Sequence, residues 1–273
     1  MPELPEVECT RRAIESEFVG RSVTALVLRE RRLRWRVLRA LDAALPGRRL
    51  ATVARRGKYL LLGTDGGTAL VHLGMSGSLR VVASGTPPRK HDHWDIVFDD
   101  GRALRLHDPR RFGALLWIAG DPAAHPLLRA LGPEPLALGS STLAAHLAAR
   151  ARGRRVAVKQ FLMDSRVVAG VGNIYASEAL FRARVRPGRA AGRIAKREWH
   201  AVARGIQRVL ALAIRKGGTT LRDFAQPDGQ PGYFRIALAV YGRAGRPCRR
   251  CGAPIKARVQ GSRATYWCSR CQR

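Results

Sequence analysis

In the stretch Trp94-Asp95-Ile96-Val97-Phe98-Asp99-Asp100-Gly101-Arg102-Ala103-Leu104-Arg105-Leu106-His107, two short β-like runs, 94–98 and 103–107, flank a turn signal, Asp99-Asp100-Gly101. Acidic residues followed by glycine let the chain reverse, so the second run is sent back beside the first. The pattern repeats outward in both directions: Ser22–Leu28, Leu50–Ala54, Tyr59–Leu62, Ala69–Leu73, Ser78–Val82 and Ala114–Ile118 are runs of the same kind, and Asp65-Gly66-Gly67 marks another turn. Many short strands at this spacing predict an antiparallel sandwich or a barrel-like domain.

A helix precedes the strands. Pro5 suits a first helical turn, Glu6 and Glu8 complement its positive end, and Val7, Ile14 and Phe18 recur at roughly helical spacing, so the helix ends near Gly20. The character of the chain changes at Gly132-Pro133-Glu134-Pro135, which reads as a linker. Beyond it the pattern is mostly helical: Trp199, Val202, Ile206, Val209, Leu210 and Ala213 form one apolar stripe, stopped by Gly217-Gly218. A glycine- and proline-rich stretch, Gln226 to Gly232, leads into a C-terminal cysteine module, and there is no internal repeat of the solenoid kind.

Composition narrows the function. At 273 residues the chain is long enough for two cores, and 50 basic against 20 acidic residues leave a formal charge of +30. Acidic polymers, nucleic acid first, are the expected partners. No apolar run approaches the roughly 18 residues of a membrane span, and the acidic N-terminus has no signal-peptide core. The cysteine usage fits a reducing cytosol rather than a disulfide framework.

Cys248-x2-Cys251 and Cys268-x2-Cys271 are separated by sixteen residues, a spacing that fits a four-thiolate zinc site. Each pair fills two corners of a tetrahedron and the hairpin between them closes it. No ligand position stays open, so the zinc is structural. The intervening segment carries Lys256, Arg258, Arg263, Tyr266 and Trp267, residues suited to lie against a nucleic-acid backbone. Cys9 stands apart, with no metal role. His91, Asp92, His93, Asp95 and His107 offer a His-x-His pair among carboxylates, a weak metal signal that does not predict a metal site.

The first residues offer a different chemistry. Once Met1 is removed, Pro2 presents a secondary amine with Glu3 directly beside it. An α-amino group titrates near neutrality, so roughly a tenth to a fifth is free base at pH 7. Such an amine is a nucleophile for a sugar aldehyde carbon, and Glu3 is placed to shuttle the protons of an iminium reaction.

Taken together, these motifs resemble the bacterial formamidopyrimidine-DNA glycosylases, and the resemblance runs nearly the whole chain. It rests on Pro2–Glu8, Arg56-Gly57-Lys58-Tyr59-Leu60-Leu61, His72-Leu73-Gly74-Met75-Ser76-Gly77, Lys90-His91-Asp92-His93 and Asp108-Pro109-Arg110-Arg111-Phe112-Gly113. Gly170-Val171-Gly172-Asn173-Ile174-Tyr175-Ala176-Ser177-Glu178, Gly217-Gly218-Thr219-Thr220-Leu221, Tyr241-Gly242-Arg243 and the cysteine module complete it. The resemblance implies an α+β protein: an N-terminal β-sandwich flanked by helices (1–131), a linker (132–140), a helix-two-turn-helix DNA-binding domain (141–235) and a four-cysteine zinc finger (236–273). It implies one structural zinc ion, no organic cofactor, and DNA held in a positive cleft between two lobes by a cytoplasmic, nucleoid-associated monomer.

The implied activity is bifunctional base-excision repair of oxidised purines, 8-oxoguanine and formamidopyrimidines, in duplex DNA or at abasic sites. Pro2 attacks the sugar carbon to give a Schiff base, Glu3 moves the protons, and Lys58 and Arg263 serve the β- and δ-eliminations. A stacked base is out of reach, so it is flipped out, and Met75, Arg110 and Phe112 match the family's void-filling residues. His91 and Arg154 match backbone contacts, and Lys159 a position near the lesion. Asn173 follows a Gly-x-Gly turn and reads as a helix N-cap that doubles as a phosphate site. The segment Gly217–Tyr233 matches a lesion-recognition loop, with glycines that favour mobility. Two other readings share most features. The endonuclease VIII family, which prefers oxidised pyrimidines, carries glycine where Leu4 stands. A non-catalytic DNA-binding homologue would have lost Pro2, Glu3 or Lys58, and all three are present.

Overall fold

A computed structural model describes residues 2–217 and 238–273, and they form two compact units. The first runs to Arg129, and the second is made of Ala130–Lys216 and the described residues beyond 237.

In the first unit, helix α1 (Leu4–Phe18) is followed by β1 (Val23–Leu28), a short α2 (Ala40–Ala44), β2 (Leu50–Arg56), β3 (Tyr59–Thr64), β4 (Gly67–His72), β5 (Ser78–Ala83), β6 (Asp92–Phe98), β7 (Arg102–His107), β8 (Ala114–Ile118) and a last turn of helix, α3 (Pro126–Arg129). All eight expected runs are strands. They build two four-stranded sheets, ordered β1-β6-β7-β5 and β2-β3-β4-β8, and every pairing is antiparallel. This is a sandwich and not a barrel. Leu60, Leu62, Val71 and Leu115 from one sheet and Leu79, Trp94, Ile96, Phe98, Leu104 and Leu106 from the other share a single core. Val7, Ile14 and Phe18 of α1 join it, and each such side chain contributes roughly 1.5–3 kcal/mol by leaving water. Helix α1 ends at Phe18, and Gly20 takes φ +90°, a left-handed conformation that releases the chain into β1.

Polar residues cover the other face of the first sheet. A register shift between Asp92 and Trp94 lets Asp92 share a face with Asp95. The Arg105 guanidinium, only 2% exposed, donates to both oxygens of Asp95 at 2.8 Å and lies 3.7 Å from Asp92. Arg29 also pairs with Asp95, Arg80 with Asp92 at 2.6 Å, and His107 Nδ1 with Asp92 at 2.9 Å. The carboxylates of this histidine-rich stretch are thus engaged by arginines and an imidazole. Burial opposes ionisation of Asp92 and Asp95, yet these partners hold both carboxyls below the usual range.

The second unit contains α4 (Ser140–Ala151), α5 (Val158–Met163), α6 (Asn173–Arg182), α7 (Lys196–Arg215) and a terminal hairpin, β9 (Ile255–Gln260) and β10 (Arg263–Cys268). Helix α7 buries the expected stripe of Trp199, Val202, Ile206, Val209, Leu210 and Ala213 against α4 and α6. Gly205 makes the α6–α7 approach possible, because a Cβ there would lie 2.7 Å from the Ala179 carbonyl oxygen. The stretch read as a linker is fastened into this unit. Gly132 N–H donates to Ser165, Ala169 N–H to Pro133, and the Gln207 amide to the carbonyls of Pro135 and Leu138. Proline and glycine there serve close packing rather than free extension.

Candidate active site and nucleic-acid interface

Glu3 stands at the N-cap of α1, 1% exposed, and its N–H donates to Glu6 Oε2 at 2.9 Å. Two contacts set the helix against β2: Arg11 Nη1 donates to the Val53 carbonyl and Arg55 Nε to Glu8 Oε2, both at 3.1 Å. Burial works against the Glu8 carboxylate, but Arg12, Arg55 and Arg11 together hold it below the usual range. Moving three residues toward the helix start, from Arg11 to Glu8, advances two residues along the strand, from Val53 to Arg55. At about 1.5 Å per helical and 3.3 Å per strand residue, the same progression brings Glu3 level with the turn after Arg56.

That turn holds Lys58. Arg56 pairs with Tyr59, so Gly57 and Lys58 form a two-residue hairpin loop, with Gly57 at φ +59°. Pro2, Glu3 and Lys58 are therefore brought to one end of the first unit. His72, across from Tyr59 with rings 4.8 Å apart, is the neighbouring ionisable group. Burial pushes its imidazole down to about 4, and the charges of Lys58 and Arg34 add to the effect. Its Nδ1 accepts from Gly74 N–H at 2.9 Å, so the ring is neutral with its proton on Nε2.

Met75 lies in a turn closed by Gly77 N–H on the Leu73 carbonyl, 2.9 Å. Arg110 and Phe112 lie in a second turn directly against it. Gly74 sits at φ +65°, and a Cβ there would lie 2.6 Å from Gly113 N. Phe112 is 41% exposed, unusual for a phenylalanine, and the Arg110 guanidinium stacks on its ring at 4.7 Å. His91, at φ +74°, accepts from Asp108 N–H at 3.0 Å, so it too borders this pair of turns.

In the second unit Arg154 is an exposed side chain in the turn after α4, its backbone bonded to Ala151 and Gly192. Arg263 is exposed at the head of β10, beside the tight turn Gly261-Ser262, both at φ +56°. The thiols of Cys248, Cys251, Cys268 and Cys271 all lie within 4.8 Å of one another. The Cys248–Cys271 and Cys251–Cys268 pairs are 3.9 and 3.5 Å apart. Tetrahedral zinc with bonds of about 2.3 Å needs sulfurs about 3.8 Å apart, so the cluster fits the ion. Backbone N–H groups of Arg250 and Cys271 point at the Cys248 and Cys268 sulfurs, both at 3.4 Å, and favour thiolate. Without a cation, burial and then the neighbouring thiols push Cys271 up to about 12; a divalent ion reverses that balance.

Three family models match the chain: the formamidopyrimidine-DNA glycosylase N-terminal domain over residues 1–115, the H2TH domain of the same enzymes over 131–225, and a zinc finger found in FPG and IleRS over 245–273. The chain belongs to the formamidopyrimidine-DNA glycosylase family. Among curated family members, that of Methylococcus capsulatus is 58% identical over 273 residues, the whole of both chains. The crystal structure of the MutM (Fpg) protein from Thermus thermophilus superposes with TM-score 0.87 at 42% identity, covering 99% of this chain and 98% of that one. The Lactococcus lactis Fpg superposes with TM-score 0.90 at 32% identity over 99% of both chains in its complex with abasic-site DNA. A point mutant of it, also at TM-score 0.90 and 32% identity over the full length of both chains, holds DNA containing Fapy-dG.

Within this glycosylase fold two residues sit otherwise than the sequence suggested. Lys159 is 1% exposed, and its ammonium donates to the Ala264 carbonyl and the Thr265 hydroxyl, both at 2.8 Å. It is held inside the second unit as a strut from α5 to the finger hairpin that presents Arg263, rather than lying free to touch DNA. Asn173 is the first residue of α6 and not its cap, because Gly172 takes the extended cap conformation. The Asn173 amide donates to the Tyr241 hydroxyl at 3.3 Å, while its buried Oδ1 has no hydrogen-bond partner among the described residues. Glu178, one turn further on, receives the N–H groups of Ala239, Val240 and Tyr241 and so anchors Tyr241 itself. Burial pushes the Cys9 thiol up to about 11, which keeps it unreactive. The expected recognition loop, Gly217–Tyr233, lies outside the described residues apart from Gly217. Asp108, present in the sequence only as the first letter of a motif, turns out to touch both the Met75 turn and the Arg110–Phe112 turn; an Asp-Pro opening a glycine-closed loop was the available signal.

Proposed function

We propose that this chain is a base-excision glycosylase and abasic-site lyase that removes oxidised purines, 8-oxoguanine and formamidopyrimidines, from duplex DNA, acting as a cytoplasmic monomer on nucleoid DNA. What supports this reading best is the start of α1, where Pro2 and Glu3 are buried and the contacts of Arg11 with Val53 and of Glu8 with Arg55 step along β2 toward the Lys58 turn. Relatives holding abasic-site and Fapy-dG DNA support the substrate class. A charge of +30 supports a polyanionic partner, and no helix among the described residues is long and apolar enough to cross a membrane.

The chemistry follows from the residue types. With Met1 removed, the Pro2 lone pair attacks C1′ of the damaged nucleotide, and the C1′–N bond to the base breaks. The base leaves with the bonding electrons and takes up a proton. Glu3 delivers a proton to O4′ as the sugar opens, leaving an iminium between C1′ and Pro2. Loss of a C2′ proton expels the 3′ phosphate, with Lys58 stabilising the leaving anion. A second elimination expels the 5′ phosphate against Arg263, which clamps the anion as an always-charged guanidinium. Water then hydrolyses the remaining iminium and frees Pro2. Met75, Arg110 and Phe112 fill the gap left by the everted base, and His91, Arg154 and Asn173 hold backbone phosphates. Zinc on Cys248, Cys251, Cys268 and Cys271 has no open position, so it folds the hairpin and supplies no reaction step.

Borohydride trapping on duplexes carrying 8-oxoguanine or thymine glycol tests the reading. A covalent adduct on the purine duplex is expected. Preference for the pyrimidine would move the assignment to oxidised pyrimidines, and no adduct on either would leave only a DNA-binding protein. Pro2→Gly should lose most of the trapped adduct while lesion-DNA binding stays within a few-fold.

A further inference from the structure

Asp108 is completely buried, with 0% exposure, immediately after β7. Among the described residues no lysine or arginine lies within ion-pair distance of it. Its carboxylate is used instead on two turns. Oδ1 accepts from the Ser76 hydroxyl at 3.0 Å and from Arg110 N–H at 3.3 Å, and Oδ2 accepts from Gly113 N–H at 2.7 Å. Its carbonyl accepts from His93 Nε2 at 2.7 Å and from Arg111 N–H at 3.2 Å, and its own N–H donates to His91. One side chain thus joins the turn that carries Met75 to the turn that carries Arg110 and Phe112. One backbone unit joins both to His91.

The surroundings leave little room for another arrangement. A Cβ on Gly113 would meet the His72 carbonyl at 3.0 Å and Asp108 Oδ2 at 3.1 Å. The Gly113 carbonyl is itself taken by Arg34 N–H at 3.0 Å. Arg111, between the two proposed insertion residues, is held at φ +56°, a conformation that costs a non-glycine residue free energy and persists only when its neighbours enforce it.

We infer that Asp108 is the positioning residue of the base-eversion wedge: it locks the Met75 turn to the Arg110–Phe112 turn, so that the three side chains enter the duplex as one preorganised unit. The inference rests on the void-filling role proposed above for those residues. Its physical basis is that two separately mobile turns would have to be ordered while the base is being unstacked, adding that ordering cost to the step. A carboxylate accepting three hydrogen bonds places the cost in folding instead. Asp108 touches no substrate. Its effect is therefore confined to reactions that require eversion.

The test compares two substrates on the full chain. One is a duplex with 8-oxoguanine, read as single-turnover excision and as the fluorescence rise of 2-aminopurine beside the lesion. The other is a single-stranded abasic oligonucleotide, trapped with borohydride, which needs no eversion. Asp108→Asn turns one accepting oxygen into an amide donor facing an N–H or hydroxyl. It should slow duplex excision and the fluorescence rise roughly ten- to a hundred-fold while single-strand trapping stays within about two-fold. Ser76→Ala cuts only the link between the turns and should slow the duplex reaction several-fold with an unchanged unfolding temperature. Adding it to Asp108→Asn should slow the duplex reaction no further. Equal losses on both substrates would make Asp108 merely structural, and unimpaired duplex excision by Ser76→Ala would overturn the coupling. If the parent chain traps neither substrate, the enzymatic reading fails instead, and the two failures are told apart.

Discussion

Lys159 shows how far a residue's type can mislead about its task. The resemblance matches this lysine to a position near the lesion, yet burial leaves its ammonium inside the protein with two oxygens of the finger hairpin. Lys159→Ala would leave the Ala264 carbonyl and the Thr265 hydroxyl short of a donor. It should destabilise the chain by about 1–3 kcal/mol, read by denaturant unfolding. The slope of DNA affinity against salt should not change, since no phosphate contact is lost. Arg154→Ala, at an exposed side chain, should do the reverse: little change in stability, and a salt slope smaller by roughly one. If Lys159→Ala lowers the slope as Arg154→Ala does, the buried strut is not its role.

The finger hairpin is the element that depends most on something outside the polypeptide. Its first strand buries little: Lys256, Ala257, Arg258 and Val259 of β9 are all exposed, and β10 turns in Thr265, Trp267 and Cys268. Among the described residues a small cluster of Phe181, Val240, Ile255, Cys248 and Cys268, with Ala239, Ala253 and Tyr266 packed against it, lies beneath it. So few apolar contacts do not hold a hairpin, and the four thiolates must supply the rest. Cys271→Ser, or a strong chelator, should release one zinc per chain by metal analysis and lower DNA affinity, while α1 and the sandwich keep their circular dichroism. Full DNA affinity in the metal-free chain would refute this. Uptake of the metal must also expel a proton from Cys271, pushed up to about 12, so it should weaken as pH falls. The sandwich needs no such help, because β4, β6 and β7 are buried along most of their length and its core draws on both sheets. That is why its strands were legible one by one, whereas the fastening of Gly132–Pro135 by Gln207 was not: glycine and proline signal irregular backbone and do not say what it packs against.

Over the whole molecule, arginine serves two purposes. Arg29, Arg55, Arg80, Arg102 and Arg105 are tied to carboxylates within the first unit, where they brace the sheets and α1. The acids run out long before the cations do, since 20 acidic residues cannot neutralise 50 basic ones. The remainder is a field for polyanions. Binding to undamaged duplex should therefore fall steeply between about 50 and 200 mM salt as counterions are released, measured by fluorescence anisotropy, and a flat response would contradict the charge argument.

Local order alone sufficed for the eight strands, the reach of α1, the thiolate cluster and the motifs that tie the chain to its family. Each depends on residues a few positions apart whose periodicity, turn chemistry or ligand spacing is set before any tertiary contact forms. The partners of Lys159 and Asp108 could be settled only by folding. Lys159 meets Thr265 across 106 residues, and Ser76 meets Asp108 across 32. A buried polar group takes whichever partner the packed backbone brings within about 3 Å, and no pattern along the chain records that distance.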